Sequence, residues 1–225
     1  MRKSDSNDQD RLTDEEIVHN LNSFFVAGHD TTANSLACEM YHLAKNPNIQ
    51  EKLRKEVFTT LKIESNASKL AIPTIDQIKE MEYLELFIKE AMRINPPVAE
   101  ISRVLNDNYI IPGDHVVLPK GLRVSVSIYG IHHDPKIYKN PEEFNPERFL
   151  NGKYDTDVYM PFGGGSRMCI GSNFSLIEQK VFLIMLLQKF KVDIKPENAD
   201  FEKLRIRGTV HTKPEDLNLN FVPVF

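Results

Sequence analysis

Residues 132–168 carry almost no hydrophobic periodicity, although the strings HHDP and NPEEFNPERF and a glycine run all fall within them. An unpatterned stretch of that length inside a compact domain is normally functional or disordered. Phe144, Phe149, Tyr154, Tyr159 and Phe162 lie in it, and side chains of that size can be buried, which argues for order. The segment constrains the fold more than any other, because the regular elements must be built before and after it.

Those elements are legible. Thr13-Asp14-Glu15-Glu16 has the form of a capping box, and Ile17, Leu21, Phe24, Phe25, Gly28, Thr32, Leu36, Met40 and Leu43 follow at helical spacing. They predict a helix from about Asp14 to Ala44. Phe24, Phe25, Leu36 and Met40 spread over more than one face, as in a helix buried on several sides. Asn46-Pro47 ends that helix and opens the next, with Asn46 as cap and Pro47 at the first helical position, and Ile49, Leu53 and Val57 line its inner face. Residues 64–73 read as a loop, and the sequon Asn66-Ala67-Ser68 within it as a chance triplet. Thr74 caps a short helix, and a further helix runs from Met81 to Ile94 before Asn95-Pro96-Pro97 stops it. Ile101 to Leu105, Tyr109 to Ile111, Val116 to Leu118 and Val124 to Ile128 are short β-like runs punctuated by Gly and Pro. A long helix returns from about Gly171 to Phe190, and the tail holds short extended pieces.

The 225 residues are 41% hydrophobic and 27% charged, which suits one globular domain with a real core. With 28 basic against 32 acidic residues the net charge is −4, which argues against a nucleic-acid partner. Cys38 and Cys169 are too few for a disulfide framework, and Cys38 reads as a buried small hydrophobe. The longest apolar run, Val181 to Leu187, is far short of the ~18 residues of a membrane span. The polar start MRKSDSNDQD is not a signal peptide.

Chemistry concentrates in Phe162-Gly163-Gly164-Gly165-Ser166-Arg167-Met168-Cys169-Ile170-Gly171. Glycines admit close approach of backbone to a flat ligand. A helix N-terminus and free amides favour a thiolate. Arg167 can pair with a carboxylate. These are the needs of a thiolate-ligated haem. A phosphate loop would require Gly-Lys-Ser/Thr, and a dinucleotide fingerprint the GxGxxG spacing; neither is present. A cysteine nucleophile would need a positioned histidine, and none of the seven is marked by a motif. An inert buried cysteine would leave the three glycines and the arginine unexplained.

The string resembles the haem signature of the cytochrome P-450 family, F-x-x-G-x-R-x-C-x-G, at every specified position. Glu90-Ala91-Met92-Arg93 is similar to that family's E-x-x-R. Pro146-Glu147-Arg148-Phe149 is similar to its P-E-R-F, and Ala27-Gly28-His29-Asp30-Thr31-Thr32 to its A/G-G-x-D/E-T-T. The four motifs occur in the family's order across nearly the whole chain.

The resemblance implies a mainly α fold with minor β, the C-terminal part of the family's architecture: a long oxygen-binding helix, the E-x-x-R helix, a small sheet, the cysteine loop and the helix after it. It implies haem b, with Cys169 the axial ligand and Arg167 on a propionate. Phe162 and Gly171 complete the haem-binding string, and Ala27 faces it from the long helix. Arg103, ten residues after Arg93, falls where the family often has a second propionate arginine. Glu90, Arg93 and Arg148 are expected to hold the irregular segment behind the haem. Thr31 is expected to donate a hydrogen bond, and Asp30 to assist proton delivery, where the long helix opens beside oxygen. His29 carries no role, and His132-His133 reads as structural rather than metal-binding. Ser23, Val26, Ala27 and Thr31 share the helix face that points into the substrate pocket. Val98, Ala99 and Glu100 flank the haem, and Thr209 and Val210 approach from the tail. That lining is largely apolar and suits a small lipophilic substrate.

The activity implied is monooxygenation with electrons from NADPH, delivered by NADPH-cytochrome P-450 reductase, with cytochrome b5 as a further candidate donor. The motif style implies a parent on the cytoplasmic face of the endoplasmic reticulum membrane. In the family a large N-terminal region precedes the long helix and carries the distal lid and any membrane anchor. Residues 1–225 are therefore expected to be one partial domain without that half, and a non-catalytic remnant that binds no haem is the alternative.

Overall fold

The computed structural model describes residues 11–63, 70–152, 155, 157–195, 204–208 and 211–224. Among the described residues, six α-helices and eight short strands follow one another as α1 (Asp14–Lys45), α2 (Pro47–Leu61), α3 (Ile75–Glu80), α4 (Glu82–Ile94), β1 (Glu100–Val104), β2 (Tyr109–Ile110), β3 (Val117–Leu118), β4 (Arg123–Ser127), α5 (Ile128–His132), α6 (Ser172–Lys189), β5 (Phe190–Ile194), β6 (Ile206–Arg207), β7 (Lys213–Pro214) and β8 (Leu219–Pro223). The fold is mainly α. The strands form only antiparallel pairs, β1 with β4, β2 with β3, β5 with β8 and β6 with β7.

Local chemistry explains the helix starts. The capping box of α1 closes in both directions, Glu16 N–H to Thr13 Oγ1 at 3.2 Å and Thr13 N–H to Glu16 Oε2 at 2.8 Å. Thr74 and Gln77 repeat the device at α3. At α4 the cap comes from another helix: the Glu56 carboxylate accepts the Tyr83 and Leu84 N–H groups at 2.8 and 2.9 Å. Asn46 departs from expectation. Its side chain makes no cap bond to α2 and instead donates to His42 O at 2.9 Å, closing the end of α1. Pro47 alone starts α2, since its missing N–H would have been unpaired at that position in any case.

The core lies where the C-terminal half of α1 meets α2, α3, α4 and α6, and Leu43, Leu53, Val57, Leu84, Phe87, Leu183 and Leu187 are fully buried there. Gln50 stitches the core to β5, donating to Leu43 O and Val192 O and accepting from Val192 N–H, all at 2.8–2.9 Å. The N-terminal half of α1 has no such cover among the described residues, and Leu21, Phe24, Phe25 and Val26 are exposed.

The described residues of the irregular segment follow a defined path. After α5 it proceeds through turns, a 3-10 stretch at Pro146–Gly152 and a 3-10 turn at Gly165–Arg167. Phe149 is buried and Phe144 packs against the core, while Tyr154 and the sequon lie outside the described residues. Among the described residues no helix is long and apolar enough to cross a membrane.

Candidate functional site

The clamp behind the site is built on α4. Glu90 and Arg93 are three residues apart, so they share a helix face, and both are 0% exposed. Arg93 grips the carboxylate with two nitrogens, Nε to Oε2 at 2.8 Å and Nη2 to Oε1 at 3.0 Å. Arg148 Nε and the Asn145 backbone N–H both reach Glu90 Oε1 at 2.9 Å. The remaining guanidinium hydrogens go to main-chain carbonyls: Arg93 to His132 and Pro141, each at 2.7 Å, and Arg148 to Lys139 at 2.9 Å and Glu143 at 3.0 Å. One buried carboxylate thus organises two arginines, and the arginines satisfy carbonyls that an irregular chain would otherwise leave unpaired. That is how residues 133–145 hold a fixed path between α5 and the 3-10 stretch.

His132 extends the clamp to the cysteine loop. Its Nδ1 lies 3.2 Å from Arg93 O, a carbonyl that can only accept, so Nδ1 carries the proton. Its Nε2 accepts the Met160 N–H at 3.1 Å, two residues before Phe162. The ring is therefore neutral, and burial lowers its pKa to about 4. His133 is placed differently, Nδ1 to Glu142 at 2.7 Å and Nε2 to Ile94 O at 3.0 Å. Both histidines serve structure, in line with the sequence reading.

In the loop, Gly163 and Gly165 take positive φ, +72° and +67°, where a side chain would be strained. Cys169 N–H returns to Phe162 O at 3.0 Å, closing the loop on itself. Cys169 is an exposed free thiol three residues before α6 begins. Ile170 is 85% and Phe174 74% exposed beside it. The opening strand β1 abuts the loop: a Cβ on Gly163 would lie 3.8 Å from Ile101 Cδ1, and Arg103 shares that face of β1 by the strand's alternation. Arg103 donates to Ser102 O at 2.8 Å, and Arg167 is exposed.

The long helix passes close by. Thr32 Oγ1 and Ser175 Oγ are 3.0 Å apart, joining α1 to the helix that starts at the cysteine loop. This contact brings the Ala27–Thr32 motif and the Cys169 motif together from positions 143 residues apart. The sequence marks Thr32 as part of the helical stripe and as the end of the Ala27–Thr32 motif, with no partner named for it. The helix does not open at the motif: α1 is continuous through Gly28, and the Thr31 hydroxyl turns back to Ala27 O at 2.9 Å. A Cβ at Gly28 would meet nothing within 4 Å. Asp30, exposed, pairs with the His29 ring at 2.9 Å.

Ser23, Val26, Ala27, Asp30 and Thr31 line one open cavity of about 800 Å³, together with Arg207, Gly208, His211 and Lys213. Thr209 and Val210 lie outside the described residues. Val98 pairs with His211 in an isolated bridge, which ties the post-α4 turn to that tail. Ala99 and Glu100 line a separate cavity of about 610 Å³ with Tyr41, His42 and Tyr129. The structure therefore divides into two spaces what the sequence reading treated as one lining.

The donor set can be tested against a haem. Among the described residues no three His, Cys, Asp or Glu side chains converge to hold a metal ion. The loop offers one accessible sulfur, glycines without bulk and exposed apolar side chains around it. That suits a metal arriving already held in a flat apolar macrocycle and needing one more ligand.

The sequence profile of the family described as Cytochrome P-450 matches residues 1–221. The chain is 36% identical over 210 residues to the taurochenodeoxycholic 6 alpha-hydroxylase of Sus scrofa, covering 93% of this chain and 40% of that protein. It is 39% identical over 181 residues to cytochrome P-450 3A5 of Homo sapiens, covering 80% and 34%. To cytochrome P-450 6l1 of Blattella germanica it is 39% identical over 186 residues, covering 81% and 36%. This chain belongs to the cytochrome P-450 family. It spans at most about 40% of the length of these relatives.

Proposed function

We propose that the chain forms the haem-binding and oxygen-activating part of a haem-thiolate monooxygenase, which puts one atom of O2 into a lipophilic organic substrate. The observation that carries the reading is the Thr32–Ser175 contact, since it sets the Asp30-Thr31 pair beside the helix that Cys169 introduces. Cys169 is the metal ligand. Arg167 and Arg103 hold the propionates of haem b, and Phe162, Gly171 and Ala27 border the macrocycle. When bound, the haem supplies the redox chemistry of oxygen activation. Thr31 offers a hydroxyl that can leave Ala27 O and donate into the cavity, and Asp30 beside it assists proton delivery. Glu90, Arg93 and Arg148 keep the cysteine loop in place behind that chemistry. Ser23 and Val26 line the substrate's approach, and Val98, Ala99 and Glu100 flank it from the neighbouring space.

Electrons come from NADPH through a cytochrome P-450 reductase or cytochrome b5, and the whole protein works at the cytoplasmic face of the endoplasmic reticulum membrane. The test is the reduced, CO-bound absorbance spectrum of the haem-loaded protein. A red-shifted Soret band that disappears in Cys169→Ser supports the reading; a band that survives the substitution removes Cys169 as the ligand.

A further inference from the structure

The seam between α1 and α6 is polar where two packed helices would ordinarily present apolar side chains. On α1, Thr32, Ser35 and Glu39 follow at intervals of three and four residues, so they share one face, and all three are buried. On α6, Ser175 and Gln179 are one turn apart, and Gln179 is fully buried. Thr32 Oγ1 lies 3.0 Å from Ser175 Oγ, and Gln179 Nε2 donates to the same Ser175 Oγ at 2.9 Å. At the far end the pattern breaks. Glu39 Oε1, Glu39 Oε2 and Gln179 Oε1 are buried without a hydrogen-bond partner, and among the described residues they are the only buried side-chain N or O atoms in that condition.

Three orphaned acceptors and no donor cannot be a relaxed arrangement, because each desolvated acceptor costs free energy until something donates to it. A Glu39 carboxylate would add an uncompensated buried charge, and no cation bonds to it. The ionisable neighbours offer no relief. Cys38 beside it is a buried thiol pushed well up by burial and by Glu39 itself. His42, one turn on, is a buried neutral ring, and the Arg93 guanidinium is engaged with Glu90. One proton resolves the conflict: it turns one of the three acceptors into a donor and leaves a single carboxyl oxygen.

We infer that Glu39 is a neutral carboxylic acid whose hydroxyl supplies the donor for Gln179 Oε1, directly or across one buried water, so that Glu39, Gln179, Ser175 and Thr32 form one hydrogen-bonded seam. The seam spans the two helices that carry the site's halves. Thr32 follows Thr31, and Ser175 is six residues after Cys169. Glu39 is thus a positioning residue that sets α1 against the cysteine loop. Its strong desolvation on burial agrees with the neutral form.

Infrared difference spectroscopy of the purified protein tests the protonation state. The C=O stretch of a protonated, buried carboxyl should be present at neutral pH, vanish in Glu39→Gln and shift in frequency in Gln179→Met. Absence of that band in the native protein, or no response to either substitution, overturns the inference. Thermal unfolding tests the partnership. Glu39→Gln should melt within a few degrees of the native protein, because its amide can still donate. Glu39→Met should melt clearly lower, and the double variant Glu39→Met/Gln179→Met should regain most of that loss. Strictly additive shifts would show that the two residues are not partners. The positioning role rests on the function proposed above. In the haem-loaded protein, Glu39→Met should raise peroxide released per NADPH consumed while keeping the thiolate-type CO spectrum, and Glu39→Gln should restore coupling. Loss of that spectrum in the unsubstituted protein would refute the proposed function and leave the infrared result standing. Unchanged coupling in Glu39→Met would refute the positioning role alone.

Discussion

The His132 ring receives the Met160 N–H at 3.1 Å and gives its own proton to Arg93 O. Both bonds require the neutral imidazole, since a protonated Nε2 could not accept. Burial lowers the pKa of His132, and likewise of His42, from the usual 6.5 to about 4. In the unfolded chain both rings take up protons near 6.5, while in the fold they do not. The stability they contribute is therefore complete above pH 6.5 and lost as pH falls towards 4. The full shift corresponds to about 3 kcal/mol for each ring. Melting temperature should fall steeply across this window, and His132→Gln should flatten the slope while lowering stability at pH 7. An unchanged slope would rule out His132 as a source. Glu39 acts with the opposite sign: its raised pKa makes its contribution present below about 4.5 and lost as pH rises.

Glu90→Ala removes the one carboxylate that four donors share and leaves the Arg93 guanidinium buried beside carbonyls alone. Breaking a buried pair from one side costs on the order of 3–5 kcal/mol. Haem incorporation and melting temperature should both collapse. Arg93→Lys should behave similarly, because a lysine cannot make the two-nitrogen grip. Normal haem content in either variant would contradict the clamp.

Thr31→Ala should leave stability within about 1 kcal/mol, since its hydroxyl bonds only Ala27 O, which already belongs to the helix. Turnover should uncouple. Product formed per NADPH consumed should drop on the order of tenfold, within the ~100-fold that losing a positioned proton donor can cost. Equal stoichiometry of NADPH, peroxide and product before and after substitution would take Thr31 out of the mechanism.

Gly165→Ala forces a side chain onto φ +67°, where open space makes the cost purely conformational, about 1–2 kcal/mol. Gly164 has equally open surroundings but a φ of −156°, so Gly164→Ala is the control and should melt close to the native protein. Equal melting temperatures for the two variants would show that the left-handed turn does not shape the loop.

Interactions between near neighbours were readable directly. The capping boxes at Thr13 and Thr74, the Pro47 helix start and the Glu90–Arg93 pair all join residues within a turn of each other, so helix geometry alone aligns them. The cysteine loop was readable for a related reason. Its glycines, arginine and thiol are contiguous, and their backbone demands are local.

What the tertiary structure decided are the encounters between distant positions. Arg148 meets Glu90 across 58 residues, His132 becomes a neutral two-sided bridge, and Asn46 turns to His42 O rather than to its own helix. No periodicity encodes the partner of a buried polar atom, because that partner depends on which helices pack and how far each is rotated. Thr32 shows the difference. As one position in an apolar stripe it pointed to a buried face, and only the packing of α1 on α6 supplied Ser175 as its partner 3.0 Å away. Glu39 carries no sequence signal of its own; the same packing makes it a buried acid that needs its proton.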